Sequence, residues 1–432
     1  MTKFSRRSVI IGSMAAPLSG GVVACANGAA SLPATASPAG PDDEAYWAGI
    51  AGQYDVMPDI TNVENGNWGL MARPVLDAYK AHTERVNREN SYFARREYGP
   101  IWWNILTDTT ARMGAQEGEV AFTRGATEAL QNIVSGYNRL KPGDAVMFAD
   151  LDYDSVIAAM RWRAAQSGAE VVELAIPEPV SHDDLVDFYR DAFEQHPNTR
   201  FLLLTHLSHR TGLVMPVREI AEAAHARGID VVVDAAHSWG QMEFDVTDLG
   251  ADFVGFNLHK WIGAPIGVGA MYIRADKLGA IDPNLSAEPE QFDRIDGRVH
   301  TGTSNFAAYL TVPDAFAFQD RMGIAAKAAR LKYLRGLWVS ECRAVDGIEI
   351  LTPEDDRLHA GITSFRLSGM TSTEENKAIA AYLLEQHRVF TVHRTGVAAG
   401  ACVRVTPGYY NSGDDMRRTA RAVIDARRHF LG

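Results

Sequence analysis

Short runs of β-branched and apolar residues recur through the first two thirds of the chain, at 119–123, 145–149, 171–174, 201–205, 231–234 and 253–256, each about one strand long. Between them the apolar positions take a helical period. Pro216 opens one such stretch, with Val217, Ile220, Ala221 and Ala224 on a single face, and 128–137 forms another just after a glycine. Alternating strand and helix predicts an α/β fold, a mostly parallel central sheet with helices on both faces, whose ligands gather beyond the carboxyl ends of the strands. After residue 310 the pattern changes. A long helix at 323–345, short strands at 348–351, 362–367 and 402–405, and helices at 373–387 and 413–430 predict a smaller α+β domain. The expected division is a large domain over 45–310, including an N-terminal segment, and a small C-terminal domain over 311–432, with order beginning near Tyr46.

The first 44 residues lie outside this pattern. Basic Lys3-Phe4-Ser5-Arg6-Arg7 is followed by a mild apolar stretch to Ala24 that is too short and too rich in Gly, Pro and Ala to span a membrane. The paired arginines before Ser8-Val9-Ile10 resemble a bacterial twin-arginine signal, the route that exports proteins already folded around a cofactor. Residues 1–30 are therefore expected to be a signal peptide and 31–44 a Pro/Ala/Ser-rich linker. Val22-Val23-Ala24-Cys25 also resembles a lipobox, and an Ala-X-Ala cleavage nearby fits comparably. The expectation is a periplasmic or otherwise exported protein that meets the twin-arginine export machinery, with a membrane anchor only if Cys25 is lipidated.

Charge narrows the partners. The net charge is −12, and the leader alone contributes +3, so the rest of the 432-residue chain repels nucleic acid. Cys25, Cys342 and Cys402 are too few for a disulfide framework and show no metal-binding CxxC spacing, so no metal site is expected.

Two residues carry the candidate chemistry. Asp234 ends the run Val231-Val232-Val233, and Lys260 follows the next strand within Asn257-Leu258-His259-Lys260-Trp261, 26 positions later. An acid at a strand's carboxyl end can hold a pyridinium nitrogen protonated, and a lysine on a neighbouring loop can form a Schiff base with an aldehyde cofactor. Desolvation among Trp261 and Ile262 would lower the amine's pKa as nucleophilicity requires. Singly, a strand-end Asp is usually a cap and a lysine usually solvated; together, in this order, they point to pyridoxal phosphate. Phe122-Thr123-Arg124-Gly125-Ala126-Thr127-Glu128 passes from strand to helix and would seat the phosphate on free N–H groups at a positive helix end, although an ordinary turn with a Thr cap looks similar. Gly263-Ala264-Pro265-Ile266-Gly267-Val268-Gly269 precedes a strand rather than a helix. It is expected to serve close backbone packing, not a nucleotide.

Asp234-Ala235-Ala236-His237-Ser238-Trp239-Gly240, followed by the Lys260 motif, resembles the class V aminotransferase-fold enzymes, especially the isopenicillin N epimerase-like branch, from about residue 45 to the C-terminus. The resemblance implies a fold-type I pyridoxal phosphate enzyme, a homodimer with active sites at the subunit interface. It implies Lys260 as the Schiff-base lysine, Asp234 at the pyridine nitrogen and His237 near the phenolic oxygen. Gly125, Ala126, Thr127, Asn257 and His259 fall on its phosphate-contacting segments, Tyr153 where relatives stack a ring on the cofactor, with a core tyrosine at a helix start as the plainer alternative, and Thr303 on a turn that reaches the partner's phosphate. Arg404 occupies its carboxylate-clamp position, a sensible role for a guanidinium fork; the plainer alternative is an arginine held in a salt bridge. Asn67, in Asn65-Gly66-Asn67-Trp68-Gly69, matches a segment near the substrate.

Two departures bear on the reaction. His209 stands where many relatives carry Asn, which makes it a candidate acid/base; with His206 and His237 it is also a conceivable, though incomplete, metal set. The segment Arg394-Thr395-Gly396-Val397-Ala398-Ala399 lacks the loop cysteine of the desulfurase branch, and Cys402 lies on an apparent strand, which disfavours a cysteine desulfurase. What stays open is chemistry at the α-carbon of an amino acid or peptidyl amine: epimerisation, transamination, elimination or decarboxylation, with the tailoring of an exported siderophore or other peptide by transamination or decarboxylation as one alternative. A non-catalytic periplasmic binding protein is the alternative from another class, and intact Asp234, Lys260 and Arg404 argue against it.

Overall fold

The computed structural model describes residues 40–432; the leader, with Arg6, Arg7 and Cys25, and most of the expected linker lie outside the described residues. The central sheet has seven strands in the order Val120–Thr123, Gly269–Ile273, Phe253–Asn257, Asp230–Asp234, Thr199–Thr205, Ala145–Ala149 and Glu170–Leu174. Gly269–Ile273 runs antiparallel to both its neighbours, and the remaining pairings are parallel. Val231, Val232 and Val233 are all fully buried, as a continuous β-branched run is in a sheet covered on both faces.

One helix fixes the geometry of the site. Ala126–Gly136 packs Ala129, Leu130, Ile133 and Val134 into the core beneath the sheet. Gly255 admits it closely: a Cβ there would come within 2.6 Å of Leu130 Cγ and 3.1 Å of the Ala126 carbonyl. The helix N-terminus is thereby held beside the strand that leads to Lys260. It begins two residues before the apolar period suggests, because Gly125 is its N-cap.

A second core lies around a four-stranded antiparallel sheet, ordered Val392–Arg394, Cys402–Val405, Thr363–Leu367 and Ile348–Ile350. Leu334 and Trp338 of helix Ile324–Arg343, Ile379 and Leu383 of Thr373–His387, and Met416 and Val423 of Gly413–Leu431 fill it. The last two helices start where Ser372 with Glu375, and Ser412 with Asp415, form capping boxes that satisfy first-turn N–H groups. Thr61–Asn62 pairs in parallel with Val389–Phe390, and Val63 joins this second core, so the segment preceding Asn65–Gly69 is fixed to the C-terminal part of the chain. No hydrophobic period announces strands of two or three residues. Among the described residues no helix is long and apolar enough to cross a membrane.

Candidate active site

Asp234 and Lys260 leave the same carboxyl edge of the sheet from adjacent parallel strands, with Asp234 paired to Gly255 in register. Both line a cavity of about 710 Å³. Lys260 Nζ lies 3.0 Å from His237 Nε2. Burial lowers the lysine's pKa to about 8, while Asp234 pulls it back up and Arg404 and Arg394 push it down further. His237 is pushed well below the usual imidazole range, first by burial and then by the Lys260 charge, so it is neutral and accepts the lysine's hydrogen bond. Asp234 accepts the Ala236 N–H at 2.9 Å; burial raises its pKa, and that hydrogen bond and Lys260 oppose the rise.

The helix Ala126–Gly136 supplies one end of the cavity. Its N-cap residue, Gly125, has no side chain to cap the first turn, and Gly125, Ala126 and Thr127 all line the wall. Asn257 Oδ1 accepts the Ala126 N–H at 2.8 Å, which leaves the amide hydrogens of Asn257 and the next first-turn N–H groups for an anion. His259 is neutral, its pKa lowered to about 4 by burial, and is held by the Val268 carbonyl 3.2 Å from Nδ1. The glycines are structural requirements here. A Cβ on Gly269 would fall 2.4 Å from Gly125 Cα, and one on Gly125 would meet Asn257 Oδ1 at 3.0 Å. The run from Gly263 to Gly269 thus ends in close backbone packing, and a phosphate fits the cradle that this packing forms.

Tyr153 and His209 line the cavity, edge to face with ring centroids 5.2 Å apart. Tyr153 is the N-cap residue of helix Asp154–Ser167 and is 39% exposed, so it is a wall residue and not a core tyrosine. His209 is buried, and burial followed by Arg210 and Arg404 holds its pKa well below the ordinary value. His206 lies against Phe244 and does not line the cavity. Among the described residues no group of three potential ligands is placed to hold a metal ion.

Asn67, Arg394 and Arg404 also line the cavity. Arg404, fully buried on strand Cys402–Val405, is in an ion pair with Glu64 at 2.5 Å, so the salt-bridge alternative holds together with a place in the wall. Glu64 and Arg394 were not foreseen from the sequence. The bridge between Glu64 and Thr406 sets the carboxylate beside Arg404, a non-local contact that only the strand pairing creates. His300 also lines the cavity, whereas Thr303 is exposed on its turn and is not part of this wall. Cys402 is fully buried, its Sγ 3.6 Å from the Arg210 carbonyl, and burial pushes its thiol up to about 11.

The family model for "Aminotransferase class-V" matches residues 73–418. The isopenicillin N epimerase of Amycolatopsis lactamdurans is 28% identical over 399 residues, covering 87% of this chain and 98% of that protein. A probable cysteine desulfurase of Halobacterium salinarum is 26% identical over 395 residues, covering 86% of this chain and 92% of that protein. The solved structure of a mutant C-DES with glycine covalently linked to its PLP cofactor superposes with a TM-score of 0.72 at 22% identity, over 87% of this chain and 98% of that one. With its lysine, aspartate and anion cradle in place, the chain belongs to the class V aminotransferase family and is a fold-type I enzyme that uses pyridoxal phosphate.

Proposed function

We propose that the protein is an exported enzyme acting at the α-carbon of an amino acid or peptidyl amine that carries a carboxylate, as an epimerase or an aminotransferase. One observation carries this reading. Lys260, with a lowered pKa, lines a cavity whose wall also holds an anion cradle and two guanidiniums. When bound, pyridoxal phosphate supplies an aldehyde that condenses with amines and a ring that accepts electrons from the carbon bearing the amine.

The chain's own residues have separable tasks. The first-turn N–H groups after Gly125, with Thr127, Asn257 and His259, would hold the phosphate. With the cofactor bound, Asp234 would keep the proton on the ring nitrogen, His237 would serve the phenolic oxygen, and Tyr153 would cover the ring. Lys260 Nζ carries the proton to and from the α-carbon, and its pKa near 8 makes it competent close to neutral pH. One base is enough for amino-group transfer. Inversion needs a second, and neutral His209 is the candidate. A desulfurase reading loses support because it needs a mobile nucleophilic thiol, and Cys402 is a buried strand residue.

Delivery in the folded state by the twin-arginine machinery to the periplasm is supported by Arg6-Arg7 and the residues that follow. A homodimer is supported by the exposed turn at Thr303, which contributes nothing to the site of its own chain. The test is borohydride reduction of the holo-protein followed by peptide mapping, then incubation with amino acids in deuterated water. Cofactor mass on the Lys260 peptide and exchange at the α-carbon are expected. Cofactor on another lysine, or no exchange with any amine, sinks the reading.

A further inference from the structure

Tyr153 is held in the cavity wall by a side chain outside the helix it begins. It stands at the N-cap of Asp154–Ser167 and makes no side-chain cap bond, in a place where Ser, Thr, Asp or Asn would ordinarily take a first-turn N–H and fix the chain. Arg210 supplies the hold instead. Its side chain is 2% exposed. Nε and Nη2 donate to the Asp152 carbonyl at 3.4 and 3.2 Å, and Nη2 also donates to Asp154 Oδ1 at 2.6 Å, so one guanidinium bridges the residues on either side of Tyr153. The Asp152 carboxylate is fixed in turn, accepting the Ala149 N–H and the Thr205 hydroxyl, each at 2.7 Å. From the other side, Arg210 Nη1 donates to the Thr395 carbonyl, and Gly396 packs on the guanidinium so closely that a Cβ there would fall 1.4 Å from Nη1. A cation beside a helix N-terminus faces the positive end of the dipole, so helix stability alone does not account for placing a guanidinium there.

We propose that Arg210 is a positioning residue for the cofactor: by bridging Asp152 and Asp154 it sets where the Tyr153 ring meets the pyridine ring, although it does not itself line the cavity. The inference rests on the reading that Tyr153 covers the cofactor, and it adds the residue that fixes that cover. The anchor is independent of the helix. Thr395 and Gly396 belong to the loop between strands Val392–Arg394 and Cys402–Val405, and the planar fork spans from that loop to both neighbours of Tyr153. The same segment orients the second ring, since His209 directly precedes Arg210 and meets Tyr153 edge to face, and the N–H groups of Arg210 and Thr211 are turned onto Ser208 Oγ at 3.2 and 3.3 Å.

The test is the visible circular dichroism of the bound cofactor, read as ellipticity per unit of cofactor absorption, together with the rate at which the holo-protein loses cofactor. Tyr153→Leu is expected to reduce the signal and to speed the loss about threefold to tenfold, the range for one stacked aromatic contact. Arg210→Met is expected to change both in the same direction, by about threefold in rate, and the double variant to match Tyr153→Leu within about twofold, because an effect that runs through Tyr153 cannot be lost twice. Rate effects that multiply in the double variant show general loosening and overturn the inference, as does an Arg210→Met protein with the wild-type signal and rate; in both cases the Tyr153 reading stands. Tyr153→Leu with the wild-type signal and rate overturns that reading and the inference together. Where Arg210→Met fails to fold, Asp154→Ala decides, since it removes an arm of the bridge whose side chain is 75% exposed, and an unchanged signal overturns the proposal.

Discussion

Lys260 and Lys327 both sit in surroundings poor in water, and burial lowers both pKa values, to about 8 and about 7. Their neighbours differ. Lys327, on helix Ile324–Arg343, donates to the Trp261 carbonyl at 3.0 Å and to Gln319 Oε1 at 2.5 Å, and its Nζ lies 5.2 Å from the Tyr409 ring centroid. Gln319 in turn donates to the Ile262 carbonyl at 2.8 Å. Lys260 Nζ has one hydrogen-bond partner, His237, and otherwise faces the cavity. A depressed pKa is therefore shared, and an unblocked face is not; nucleophilicity requires both. The two are also connected. Lys327 and Gln319 hold the two carbonyls that immediately follow Lys260, so the saturated lysine anchors the turn that presents the reactive one.

The largest effect expected separates the pair outright. Lys260→Ala abolishes borohydride-stable attachment of the cofactor and lowers turnover by at least about 10³-fold, while Lys327→Met keeps the attachment at Lys260. Peptide mapping of both reduced variants checks this, and attachment at Lys327 would break the contrast. Next in size is Asp234→Asn. Lys260 has a carboxylate acting on it and Lys327 has none, so this variant removes a feature of the reactive site alone. Turnover is expected to fall by about 10² to 10³-fold with the fold retained, as measured by steady-state rates beside thermal melts.

Stability against pH tests the other lysine. With a pKa near 7 in the folded protein and near 10.5 unfolded, Lys327 binds more protons in the unfolded chain throughout that window. Its contribution to stability therefore rises as pH increases from 7 to 10.5, and is most unfavourable below 7. Lys327→Met removes that slope. Denaturant melts of both proteins at pH 6 and pH 10.5 are expected to show a stability difference that changes by on the order of 3 to 5 kcal/mol, with wild type gaining at high pH. Parallel pH dependences would show that Lys327 is not desolvated as its contacts imply.

What the sequence made legible follows the range of the interactions. The central sheet, the helix at 126–136 and the pair Asp234 and Lys260 are local signals: a β-branched run, a glycine before an apolar period, an acid and a lysine at strand ends. The carboxylate end is not local. Glu64 reaches Arg404 because a chain segment 340 residues away in sequence is bridged at Thr406, and neither partner has a periodic signature. Lys327 was hidden for a related reason. On a helix with apolar neighbours it reads as one more solvated cation, and its burial comes from a turn, at Trp261, that lies on another element. Arg404 shows the middle case, since its type and place were legible while its counter-ion was not.

The smallest effect isolates the one contact that Lys260 keeps. Neutral His237 accepts from Nζ and so favours the ammonium form, working against the burial that depresses the pKa. His237→Phe removes the acceptor without opening the wall, and the lysine's titration midpoint should drop from about 8 by about half to one pH unit. The pH profile of labelling of cofactor-free protein by an amine-directed reagent reads this directly. In the same experiment Lys327, 1% exposed and held by two acceptors, should remain unlabelled at every pH where the protein is folded. A midpoint that rises in His237→Phe would mean that the imidazole competes with the lysine for a proton instead of holding it, and labelling at Lys327 would mean that the turn after Lys260 opens far enough to release its anchor.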